Sequence, residues 1–396
     1  MVVRRVVAAG LVLVALVGAY RLTVPAGGTR AQLEFLRGEL DAGSAERMQR
    51  LFPEGYFFSW ALYGLTWTEL GRHEPEHRDE ALREGREALR RLDSAAGTAV
   101  FDERLRPRYG VFHAGWSNWL RGTLVALDPG DEELRREFGD RSAELAAAFD
   151  EAGTPFLAAY PGQAWPVDSV VAVASLRLHD HVLGPRFAVT AERWVAAARQ
   201  RRDPATGLLG HRADPRTGAP VEGARGSSQS VVHRFLVEVD PAFAREQYER
   251  FRERFVVRPL GLAPAVREYP VGTEGAGDVD SGPLVLGASL SATVVTLGAA
   301  RVQGDEPLAT ALARFAELTG LPLHTWSTKR YGLGILPVGD AFLAWSRTAR
   351  PWVAEGVPAP AATVTPFWRV PLLAVLALLA ALPWLPAVLR RSRRGG

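Results

Sequence analysis

The stretch GDVDSGP places Asp278 and Asp280 two residues apart, and Glu268 and Tyr269 lie on the loop before them. Two close carboxylates repel, so one keeps its proton to a higher pH than an isolated aspartate. A protonated carboxyl beside an ionised one is an acid–base pair. Asp280 is the leading catalytic candidate on this ground, with Asp168, Asp278 and Glu268 as its candidate partners. A structural alternative stands beside each. Asp280 or Ser281 could cap a helix that has Pro283 in its first turn, and Asp168 could cap VVAVASLRL. Glu268 could be a solvated loop residue.

Candidate binding residues surround these acids. YPGQAWPVDS offers Trp165 as a platform for a sugar ring, and Tyr269 offers another. Arg225 in GARGSSQS could clamp a carboxylate or pair with Asp278, and Gln229 sits one turn further along. YGVFHAGWSNW holds His113, Trp116 and Asn118; His113 is either a proton shuttle or a packed core residue. Glu54 in FPEGYFFSW and Asp340 in LPVGD complete the carboxylates near apolar segments. HExxH, EF-hand, P-loop and GxSxG motifs are absent, and His179-Asp180-His181 falls at the far end of its helix. No metal and no cofactor is expected. The chain has no Cys, which excludes disulfides and thiolate ligands.

Helices must position these residues. Amphipathic segments cover 31–51, 79–92, 131–152, 186–201, 240–256 and 306–318. Segments apolar on all sides cover 56–70, 111–127, 167–178, 228–236, 284–300 and 335–345. The two kinds alternate six times. Gly55, Gly110, Gly162, Gly226, Gly282 and Gly332 lead the apolar ones, at intervals of 55, 52, 64, 56 and 50 residues. The long third interval accommodates GLLGHRADPRTGAPVEGARG, which reads as a β-hairpin insertion. VREYPVG reads as a short strand and loop. Six hairpins that must each bury one helix close most simply into a ring, with the candidate residues at one end.

Six Gly-led inner helices alternating with six outer ones resemble the (α/α)6 toroid of the six-hairpin glycosidase superfamily, over nearly all of residues 27–350. The resemblance is one of pattern and period. It implies an all-α toroid and action on a glycan, by hydrolysis with two carboxylates or by lyase or epimerase chemistry centred on Tyr269, His113 and Arg225. Linalool dehydratase-isomerase-like enzymes share the barrel, which implies a dehydratase or isomerase of an apolar alcohol as an alternative. Their chemistry involves Cys, which this chain lacks. A non-catalytic glycan-binding envelope protein is the third reading.

The ends point to a membrane. Residues 1–26 hold two Arg and an apolar run, which reads as a signal-anchor or transmembrane helix. Residues 367–396 hold the apolar run 370–389 followed by Arg390, Arg391, Arg393 and Arg394, after a linker over 351–366. The excess of Arg at both ends places them in the cytoplasm and the 27–350 domain outside the inner membrane. The formal charge of +3 includes six terminal Arg, so the remainder carries −3 and lacks the basic face that nucleic acid needs. The expected partners are a glycan or small molecule and the lipid bilayer.

Overall fold

A computed structural model describes residues 2–25 and 27–384. Helix α1 (Val2–Thr23) comes first. The predicted outer helix over 31–51 is two pieces, α2 (Thr29–Asp41) and α3 (Ser44–Gln49), because Gly43 turns the chain with φ 78°. Inner helix α4 (Gly55–His73) follows, then outer α5 (Arg78–Leu92) and the short α6 (Ala95–Thr98). The alternation continues through α7 (Gly110–Leu127), α8 (Glu132–Glu151), α9 (Pro166–Leu183) and α10 (Ala188–Arg199). The second half holds α11 (Gly226–Val239), α12 (Pro241–Phe255), α13 (Leu290–Val302), α14 (Glu306–Thr319) and α15 (Pro337–Thr348). A last helix, α16 (Val370–Ala381), ends the described elements.

Among the described residues four antiparallel strand pairs decorate this helical frame: β1 (Arg212–Ala213) with β2 (Pro220–Glu222), β3 (Val256–Val257) with β4 (Ala265–Val266), β5 (Leu284–Val285) with β6 (Ala288–Ser289), and β7 (Leu323–His324) with β8 (Lys329–Arg330). The β5–β6 hairpin corrects the sequence reading, which had helix from residue 284. α13 begins only at Leu290, and Ser289 caps it.

Outer helices bury one stripe. On α5 that stripe is Ala81, Gly85, Ala88, Leu89 and Leu92, at the spacing that keeps one helix face against a neighbour. α4 and α5 approach closely because a Cβ on Gly64 would lie 2.7 Å from that of Ala88. The inner helices pack in a cycle: α4 on α7, α7 on α9, α9 on α11, α11 on α13, α13 on α15, and α15 back on α4. Aromatic rings meet between members that are not adjacent in this cycle. Trp116 of α7 lies 5.2 Å from Phe235 of α11 and 5.7 Å from Trp345 of α15. Between neighbours, Phe58 of α4 lies 5.3 Å from Phe342 of α15. These rings fill the space the inner helices enclose.

The C-terminal ends of the inner helices are closed by a buried ionic knot. Arg234 of α11 donates to Glu69 of α4 at 2.7 Å, and the indole of Trp352 donates to the same Glu69 oxygen at 2.8 Å. Glu238 accepts the backbone amides of Trp352, Val353 and Ala354. From there the chain runs back along the outside, tied by Arg252 to the carbonyl of Ala361 at 2.7 Å, until buried Trp368 leads into α16.

Among the described residues α1 alone is long and apolar enough to cross a membrane. α16 is shorter; the remainder of the predicted 370–389 span and its Arg cluster lie outside the described residues. α1 and α16 pack against each other in antiparallel sense, with Arg369 bonded to the Leu22 carbonyl and Leu376 against Gly18.

Removing one partner of the knot strands the other in a dry site. Arg234→Met is expected to cost about 3–5 kcal/mol, and adding Glu69→Leu to recover most of it. Urea denaturation of the three proteins in detergent checks both values.

Candidate functional site

The N-terminal ends of the inner helices form the open end. Outer helices α8, α12 and α14 start with Asp caps, where Asp131, Asp240 and Asp305 accept amides of Leu134, Phe243 and Leu308. Of the inner helices only α13 has a side-chain cap, from Ser289. The aspartates near inner helices are thus not taken up by capping. Trp165, not Asp168, is the N-cap residue of α9, and Asp168 stands in the first turn. Ser169 acts on the backbone nearby, where its hydroxyl accepts the amide of Leu157 and pins the preceding loop.

Asp168, Glu54 and Asp280 converge. Asp168 is 6% exposed, and its carboxyl makes no hydrogen bond or ion pair among the described residues. Burial, with the nearby charges of Glu54 and Asp280, pushes that carboxyl well above the usual aspartate range. Asp280 is reached by water from the open side but crowded by protein on the others. Desolvation, together with Asp278 and Glu54, pushes its carboxyl up to about 6. Glu54, the N-cap residue of α4, accepts the hydroxyl of Tyr160. Burial and the charges of Glu54, Asp168 and Asp280 raise that phenol, so Tyr160 stays protonated. Trp165 packs edge-on against Tyr160 at 5.9 Å, and the Arg212 guanidinium lies 5.8 Å from the Trp165 ring.

A second cluster braces this one. Arg225 pairs with Glu268 at 2.7 Å, Asp278 at 2.6 Å and Glu222 at 3.3 Å. It is the structural bridge, not a free anion clamp. Glu268 is fully buried and also accepts the Ser227 hydroxyl and amide, at 2.7 and 3.1 Å. It is neither a solvated loop residue nor a free catalytic base. Its loop touches the start of α11, where a Cβ on Gly226 would lie 2.0 Å from the Arg267 carbonyl, so only glycine fits. Asp278 accepts the amides of Asp280 and Ser281 at 3.1 Å each and so shapes the turn that presents Asp280. Partial burial opposes ionisation there, but the Ser281 amide and Arg225 outweigh it and hold Asp278 below the usual range. Tyr269 lies beside Arg225 and donates to the Ala276 carbonyl at 3.0 Å.

Four expected site residues belong to the core instead. His113 hydrogen-bonds the Leu92 carbonyl at 3.2 Å among Phe57, Phe101 and Tyr109. Trp116 is one of the axial rings. Asn118 donates to Ser142 and Ser175 at 3.0 Å, and Gln229 donates to the Leu209 carbonyl at 2.7 Å. All four are buried, and the side-chain oxygens of Asn118 and Gln229 have no hydrogen-bond partner among the described residues. Asp340 accepts from Gln32 and from the Tyr331 amide, which ties α2 and a loop to α15. The sequence reading missed Tyr160, and it missed His211, whose Nδ1 meets the Ser228 hydroxyl. Burial and nearby Arg225 push that imidazole down to about 3. The one signal for Tyr160 was its place in YPGQAW. Two cavities of about 290 Å³ lie elsewhere, one against Arg199, Arg202 and Arg250, the other against Arg72, His181 and Trp352.

No protein-family model and no curated protein matches the chain. Among solved structures, a family 105 glycoside hydrolase from C. acetobutylicum is similar at 13% identity, covering 80% of this chain and 98% of its own, with a TM-score of 0.47.

A raised carboxyl pKa means that folding favours the protonated form, so Asp168 lowers stability increasingly as pH climbs above its unfolded value of about 4. Asp168→Asn is expected to gain little stability near pH 4 and progressively more toward neutral pH. Denaturation midpoints across that range check the slope; at a cap position the same change would leave stability nearly level across that range, because Asn caps about as well as Asp.

Proposed function

We propose that this protein is a membrane-anchored, carboxylate-based hydrolase of a glycan. In this reading the cycle of inner helices is a closed (α/α)6 toroid and its open end is the active site. The observation that carries it is the convergence of Asp168 and Asp280, two carboxyl groups without ionic or hydrogen-bonding partners among the described residues. Their surroundings move both pKa values up, by unequal routes: Asp168 through burial away from water, Asp280 through crowding at the water side. Burial favours the protonated form of Asp168, while Asp280 ionises at about 6, the kind of split between an acid and a base that glycosidic cleavage needs.

Asp168 gives its proton to the leaving oxygen as the glycosidic bond breaks. Water adds to the sugar carbon and passes a proton to Asp280. Transfer of that proton back to Asp168, through water, completes the cycle, so one water is consumed. The bond between Tyr160 and Glu54 fixes both groups beside the pair, and Trp165 offers an apolar face to a sugar ring. A lyase on a uronic acid would need a cation free to hold the substrate carboxylate. Arg225 is occupied by three carboxylates, so such a reaction would have to use Arg212 beside Trp165 instead. The terminal helices α1 and α16 would hold the chain in the cytoplasmic membrane with the toroid outside it.

The test is to incubate the full chain in detergent with bacterial envelope polysaccharides and to read fragments by mass spectrometry. Fragments carrying one added water are expected, and Asp280→Asn or Asp168→Asn should slow their release about 10²–10⁴-fold. The wild-type rate should rise with pH through about 6 as Asp280 ionises, and fall at higher pH as Asp168 loses its proton. Fragments short of one water would replace hydrolysis by elimination. Loss of water from small apolar alcohols, with every polysaccharide intact, would overturn the glycan reading in favour of a dehydratase.

A further inference from the structure

The open end is not uniform around its rim. On the side of α9 and α11 it is charged, with Asp168, Arg225 and Asp278. On the side of α12 to α15 it carries exposed apolar side chains beside exposed Glu274 and Asp280. Four loops there each raise a leucine into solvent: Leu260 after α12, Leu286 before α13, Leu321 after α14 and Leu333 before α15. All four have positive φ, between 47° and 63°. That backbone region suits glycine or asparagine and is strained for leucine. Four strained turns that each place an exposed leucine at the strained position are hard to account for by folding alone. Trp326 at the tip of the β7–β8 hairpin and Ile335 extend the same patch, and both are exposed.

The patch adjoins α1, the one helix of membrane-spanning length among the described residues. The foot of α1 packs into the ring between these loops: Leu22 is buried in one cluster with Ala263 and Tyr331, neighbours of the first and last loops. Arg21 donates to the Pro322 carbonyl at 3.1 Å, and Lys329 of the hairpin donates to the Gly27 carbonyl at 2.8 Å. Lys329 also pairs with buried Glu317 at 2.7 Å, which fixes the hairpin to α14. Cations gather at the same level, with Arg314 and Arg369 close enough to repel each other. Exposed tryptophan and leucine beside arginine is the composition of a membrane interface, where apolar tips enter the acyl region and cations meet phosphates.

We propose that this rim docks on the lipid bilayer next to the chain's own anchor, so that the open end of the ring is held against the membrane surface. The inference rests on α1 being a membrane anchor, as in the proposed function. It gives the mouth two walls, one of protein carboxylates and one continuous with lipid. It assigns as substrate class a molecule held in the membrane by its own apolar part, its polar head reaching Asp168 and Asp280.

The chain contains no cysteine, so a spin label on one introduced Cys reports one position. Labels at Leu13→Cys on α1, Trp326→Cys and Ile335→Cys on the rim, and Glu133→Cys at the closed end are all on exposed sites. The full chain is reconstituted in phosphatidylcholine–phosphatidylglycerol vesicles, and each label's accessibility to oxygen is compared with that to a water-soluble nickel chelate. The oxygen-to-nickel ratio at 13, 326 and 335 is expected to exceed that at 133 several-fold. A lipid signature at 13 with 326 and 335 matching 133 would overturn the docking and leave the anchor standing. A water signature at 13 would overturn the anchor and the docking together. Dipolar broadening at 326 would put a second copy of the chain on the rim and overturn the lipid as its occupant.

Discussion

Everything at the open end depends on the closed end being shut, and Arg234 shuts it. A guanidinium with no exposure to water is tolerable only if its charge is met, and Glu69 and Glu238 meet it from two inner helices of the cycle. Burial pushes Glu69 up to about 7, while Arg234 and the Trp352 indole pull the other way. The knot therefore contributes little net stability and much specificity. It fixes which helix faces which, and the aromatic rings above it have one arrangement to fall into. Without that register, the N-terminal ends of α4 and α9 would have no reason to bring Glu54, Tyr160 and Asp168 together.

The open end repeats the principle with opposite intent. Arg225 satisfies Glu268 and Asp278, and those two hold the loops in which Asp280 sits. Asp168 and Asp280 are left without such a partner. Neutralised carboxylates serve as struts here, and the two left unneutralised are the ones the proposed reaction would use. Three outer helices use aspartate in the same supporting way, since Asp131, Asp240 and Asp305 cap them.

The alternation of amphipathic and apolar helices was legible because period and polarity are set by burial alone. The β5–β6 hairpin was not. Its turn is Leu286-Gly287, both at positive φ, where such turns ordinarily announce themselves with Asn-Gly. PLVLGASL thus reads as the start of a helix, and Asp280 reads as its cap. Glu268 and Arg225 were visible as charged residues, but their pairing joins positions 43 residues apart and no local pattern encodes it. His113, Asn118 and Gln229 were polar residues in apolar helices, a pattern shared by active sites and by satisfied cores. Only the partners, Leu92, Ser142, Ser175 and Leu209, decide between them.

The segment that completes the floor comes late in the chain. Glu238 receives its three amides from residues 352–354, so during synthesis Arg234 and both its glutamates wait more than a hundred residues for closure. Until then the ring has no seal and its aromatic axis is wetted from below. Folding is therefore gated by the arrival of the strap, and the strap continues directly into α16. Completion of the floor and emergence of α16 become one event, so a chain released before residue 352 lacks both the amides that Glu238 accepts and the helix that packs on α1.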